Sequence, residues 1–139
     1  MIKTPKDLLD YEIRIFRNIC SSFTNFNKLD EFSKNLLIES LALHTRVLVD
    51  FFYCDNKKYS DDIIAQDLLP KSIIWTDLRP ELSSVLKDAK GKADKQLAHL
   101  STPRLIYIAN NTHGWRVSET SKEINLIIDL FYNARGDYN

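Results

Sequence analysis

The sequence predicts an all-α protein, an up-and-down four-helix bundle with one or two short extra helices. Three observations predict it. Long stretches repeat apolar residues at helical spacing. Glycine and proline are scarce, three and four in 139 residues, and the prolines stand where elements begin or end. Strand signals are confined to two short, isolated runs, "SIIWT" and "LIYIA". A chain of this length is one helical-bundle domain, 1–139, and is long enough to bury a core.

The elements follow in order. Thr4 is a helix cap, Pro5 suits the first helical position, and Asp7 sits in the first turn. Leu8, Leu9, Tyr11, Ile15, Phe16, Ile19 and Phe23 then recur on one side, giving a helix over about 5–24. "TNFNKLD" breaks it. Asp30 caps a second helix over about 31–54, which holds no glycine or proline. Ser60 caps a short helix through "DDIIAQDLL", ended by Pro70. "PKSIIWTDLRP" reads as irregular, with Trp75 plugging one end of the bundle. Pro80 starts a third long helix through "ELSSVLKDAKGKADKQLAHLS", with an apolar stripe running from Leu82 to Leu100. Ser118 or Thr120, with Glu123 behind, caps a last helix that stops at Gly136.

Composition removes several function classes. Lys plus Arg and Asp plus Glu balance at 19 each, so no global field draws in nucleic acid or membrane. Charges interrupt every apolar run of the first twelve residues, which argues against a signal peptide, and no run has the length of a membrane span. The expected location is the cytoplasm, with Cys20 and Cys54 reduced. No metal-ligand spacing, phosphate-binding glycine loop or nucleophile elbow occurs, so no metal and no cofactor are expected.

Two helix faces carry the remaining chemistry. On the third helix, Lys92 and Lys95 lie within about 40° of His99, which points about 120° from the middle of the apolar stripe. On the second helix, apolar residues cover well over half the circumference, the pattern of a central, buried helix. Its polar exceptions Glu39, Arg46, Asp50 and Tyr53 fall within about 60° of one another, and Arg46 and Asp50 are spaced to bridge. These make either a structural salt-bridge stripe or a seam that faces the third helix and supports His99 and its lysines. His44 lies inside the apolar arc and reads as a hydrogen-bonded core histidine. An imidazole beside cations suits metal-independent RNA cleavage, because it moves protons near neutral pH while lysines hold the phosphate.

The stretches "LLIESLALHTRVLVDFF", "DDIIAQDLL" and "KADKQLAHLS", followed by Arg104, resemble the HEPN-type helical domains of prokaryotic abortive-infection and toxin–antitoxin systems, and an uncharacterised group of small bacterial helical proteins. The resemblance implies a homodimer with paired faces and, as partner, a protein antitoxin or RNA. It makes His99 the catalytic acid/base, with Lys95, and makes Lys92 and Arg104 substrate-binding. Glu39, Arg46 and Asp50 become supporting residues. The family signature sets an arginine four to six residues ahead of its histidine. Here Lys95 stands four ahead and Lys92 seven ahead, with no arginine in the window. The reading is therefore a HEPN-like, non-catalytic or degenerate module for dimerisation or partner binding. The alternative is a metal-independent ribonuclease of toxin or phage-defence type using His99 with Lys92 and Lys95.

Overall fold

The structure, a computed structural model, describes residues 1–94 and 115–136. Every regular element among them is helical. Helix α1 (Pro5–Ser22) starts as the sequence predicts. The Thr4 hydroxyl accepts the Asp7 N–H, and the Asp7 carboxylate accepts the Thr4 N–H, a reciprocal cap. The chain then tightens into a 3-10 segment, Phe23–Lys28, instead of breaking.

Helix α2 (Glu31–Tyr53) is capped by Asp30, whose carboxylate accepts the Ser33 N–H at 2.7 Å. It packs on α1 and on both later long helices. Its buried face runs Ile38, Leu41, Ala42, Thr45, Leu48, Val49 and Phe52, at spacings of three and four. The opposite face stays in solvent. Phe32 is 72% exposed, Leu43 55%, Leu36 48% and Val47 38%. Apolar residues all round the helix predict burial all round. Here the neighbours leave one stripe uncovered, and that stripe is apolar.

The predicted helix over 61–69 is reduced to a 3-10 turn, Ala65–Leu68. The Asp62 carboxylate takes the Tyr59 N–H and that of Asp67 takes the Ile64 N–H, each at 3.0 Å. The Asp67 bond caps that turn, as Asp7 caps α1, and the Asp62 bond shapes the chain ahead of it. A single helical turn, α3 (Trp75–Leu78), follows. Trp75 is buried, 2% exposed, with its ring edge-on to Phe131 and close to Phe52.

Helix α4 (Ser84–Lys92) begins four residues later than Pro80. The Pro80 carbonyl accepts the Tyr53 hydroxyl at 3.0 Å, which holds that stretch against α2. Ser83 is the cap, accepting the Leu86 N–H. Helix α5 (Val117–Arg135) starts ahead of both predicted caps, and Thr120 is a core residue. It stops at Gly136, whose φ of 81° is a left-handed cap, as the sequence predicts. Helices α1, α2 and α5 supply most of the core, with Leu86 of α4 closing it, and Phe51, Phe52, Trp75 and Phe131 form an aromatic knot at its centre.

Candidate functional site

The polar sector of α2 meets α4. Lys90 Nζ lies 2.7 Å from Asp50 Oδ1, and Arg46 Nε lies 2.9 Å from Asp94 Oδ1. The Arg46 N–H is not aligned for a hydrogen bond to that oxygen, so the contact is an ion pair. Arg46 also lies 3.8 Å from Asp50 on its own helix. Stepping from 46 to 50 on α2 steps from 94 back to 90 along the facing chain, so the two run antiparallel here.

Of the residues singled out in the sequence, the structure brings Arg46 and Asp50 together. Glu39 lies on the same sector of α2, exposed, with no ion pair among the described residues. Lys92 turns elsewhere, reaching Asp88 one turn back at 2.8 Å and sitting 5.9 Å over the Trp115 ring. Lys95, His99 and Arg104 lie outside the described residues. Sequence reading missed Lys90 and Asp94. Their signal was present: a second cation–anion pair four residues apart, on the helix expected to face Arg46 and Asp50.

The seam alternates two cations with two carboxylates. All four side chains are about two-fifths exposed, so each bridge contributes modestly, on the order of 0.2–1 kcal/mol. What the arrangement provides is register between α2 and α4. A guanidinium and an ammonium already bound to carboxylates are poorly placed to hold a phosphodiester.

A second polar latch ties the other flank of α2 to α1. His44 Nδ1 lies 2.7 Å from Glu12 Oε2, both largely shielded. His44 is thus hydrogen-bonded, as the sequence predicts, but it is part-buried at the flank of α2 and not in the core. Between the latches runs the exposed apolar strip of Phe32, Leu36, Leu43 and Val47. On a helix of 3.6 residues per turn these four fall within about 60° and span roughly 22 Å.

No family model, curated protein or solved structure matches the chain. What the chain does therefore has to be read from its own surfaces. Among the described residues, no group of three His, Cys, Asp or Glu side chains is placed to hold a metal ion. No helix among them is long and apolar enough to cross a membrane.

Cysteines and tyrosines add little chemistry. Cys20 and Cys54 are both free and half-buried, and burial pushes the Cys20 thiol up, away from reactive thiolate. Burial also raises Tyr132, reinforced by its hydrogen bond to Asp10 at 2.6 Å. That bond fastens α5 to α1, as does Arg17 Nε donating to Asn125 at 2.8 Å.

Proposed function

We propose that this protein is a non-catalytic helical module that self-associates through the exposed face of α2, a degenerate HEPN-like domain. The observation that carries the reading is the apolar strip, three of whose members, Phe32, Leu36 and Leu43, are about half or more exposed. Continuous apolar surface of this kind marks interaction sites on proteins. A two-fold axis returns a strip to itself, so two α2 helices packed antiparallel bury it on both copies. An axis beside Leu43 stacks that residue on its mate and sets Glu39 of one copy within reach of Arg46 of the other.

The same reading takes α1, α2, α4 and α5 as an up-and-down bundle, supported by the packing of α1 on α2, α2 on α4, α4 on α5 and α5 on α1. It assigns the protein to the cytoplasm, in keeping with two unbonded cysteines. A protein partner is favoured over RNA because the seam cations are paired with carboxylates.

Sedimentation velocity tests the proposal. The expected result is a dimer for the native chain and a monomer of unchanged helicity for Leu43→Asp. A native monomer, or a Leu43→Asp dimer, overturns it. Single-stranded RNA incubated with the protein in EDTA is expected to stay intact. Cleavage that His99→Ala abolishes would restore the ribonuclease reading.

A further inference from the structure

A groove of about 440 Å³ lies between α1, α2 and residues 61–64. Leu8, Val47, Phe51, Ile63 and Ile64 give it apolar walls. Glu12, Asp50, Asp61 and Asp62 also line it, and among the described residues no lysine, arginine or histidine does. We propose that it receives a short apolar segment of another protein carrying a lysine or arginine.

Charge selects that occupant. Two of the carboxylates are already engaged, Asp50 with Lys90 and Glu12 with His44. Asp62 accepts the Tyr59 N–H and makes no ion pair among the described residues. Asp61 has no ion pair among the described residues. The groove is therefore negative along the 61–64 side and greasy beneath it. A long cationic side chain matches both, laying its methylenes on the apolar floor with its charge at the rim. The field of the rim carboxylates strengthens where apolar walls lower the local dielectric.

Shape points to a chain segment in preference to a small amine. Small-molecule sites enclose most of their ligand. Here the wall residues Leu8 and Val47 remain 42% and 38% exposed, so the groove is open along its length. The groove adjoins the self-association surface at Val47, Asp50 and Cys54, which an axis beside Leu43 sets opposite Glu39, Leu36 and Phe32 of the second copy, so the Leu43→Asp chain tests the groove independently of the dimer.

The test is a titration of the ¹⁵N-labelled full chain, and of its Leu43→Asp variant, followed by NMR. The probes are the peptide acetyl-Leu-Arg-Leu-Leu-Arg-Leu-amide, the same peptide with both arginines replaced by glutamate, and n-butylguanidinium. The arginine peptide is expected to give saturable shifts at Leu8, Glu12, Val47, Phe51 and residues 61–64 in the Leu43→Asp chain, and to bind the native chain no more tightly. The glutamate peptide is expected to bind at least tenfold more weakly, and n-butylguanidinium not to saturate. Asp61→Lys is expected to weaken the arginine peptide at least fivefold with the helical circular dichroism unchanged. Equal binding of the two peptides overturns the proposal. So does an absence of saturable shifts, a response confined to the Phe32–Leu43 face, saturation by n-butylguanidinium, or indifference to Asp61→Lys.

Discussion

Replacing Arg79 by alanine is expected to destabilise the protein by about 2–4 kcal/mol, although the residue lies outside every regular element. The last carbonyls of α2 have no partner within the helix. That of Phe52 is taken by two donors from one later segment: Trp75 Nε1 at 2.8 Å and Arg79 Nη1 at 3.0 Å. The guanidinium side chain is 15% exposed, so this is a shielded, charge-assisted bond at a helix C-terminus. A hydrogen bond of that kind contributes about 1.5–3 kcal/mol. The cation also stands 5.0 Å over the Tyr53 ring, for about 0.5–1 kcal/mol. Its ion pair to Asp55 adds less than about 1 kcal/mol, because that carboxylate is 53% exposed. These contributions overlap, since they share one side chain. Arg79→Lys keeps the charge and loses the fork, and is expected to cost about half as much. Urea unfolding followed by circular dichroism measures both, with Asp55→Asn as the control. Should Arg79→Ala cost no more than Asp55→Asn, the bond to the Phe52 carbonyl does not stabilise the fold and the reasoning is wrong.

Thr45 is fully buried, and its hydroxyl has no hydrogen-bond partner among the described residues. Thr45→Val is expected to stabilise the protein by about 1 kcal/mol, read as a higher urea midpoint, because a buried unsatisfied hydroxyl is penalised. Tyr132→Phe removes the bond to Asp10, a partly exposed carboxylate, and is expected to cost about 1 kcal/mol by the same measurement. The Ser33 hydroxyl and N–H hold Asp30 below its ordinary value of 3.8. A carboxylate more acidic in the folded state contributes stability above its unfolded value and loses it as pH falls through the folded value. Asp30→Asn is therefore expected to flatten the loss of stability between about pH 5 and pH 2, and an unchanged slope would refute the assignment.

The helix starts and stops that were legible are those whose signals are local. Thr4, Pro5 and Asp7 sit within one turn and need no tertiary partner. Asp30 and Gly136 act on the turn beside them. The start of α4 is set by a local cap too, Ser83 accepting the Leu86 N–H, while the bond of the Tyr53 hydroxyl to the Pro80 carbonyl, across 27 residues, fixes the chain ahead of it. Of the short helix expected over 61–69 only the Ala65–Leu68 turn forms: Asp67 caps it by accepting the Ile64 N–H, while Asp62 accepts the Tyr59 N–H ahead of it. In the candidate site, Arg46 and Asp50 announce themselves by spacing, while the pairing of each across to Asp94 and Lys90 depends on how two helices slide past each other. The exposure of Phe32, Leu36 and Leu43 was hidden because an apolar residue carries no mark saying which side of its helix a neighbour covers.

The convergence of Trp75 and Arg79 on a main-chain oxygen has a consequence for how this chain tolerates change. The two donors lie one helical turn apart, and their spacing is fixed by the turn between them. Between them and α2, Ala65 and Leu69 pack in the core, whereas the exposed residues 56–60 only have to span the gap. Loop closure grows costlier only slowly with length, by about 0.6 kcal/mol per doubling. Insertions at the exposed residues 56–60 are thus expected to be absorbed with little loss, whereas one residue added between 75 and 79 would move a donor off its acceptor. This is the place to splice in a tag or a reporter peptide, on a lengthened tether whose two ends are already fastened down.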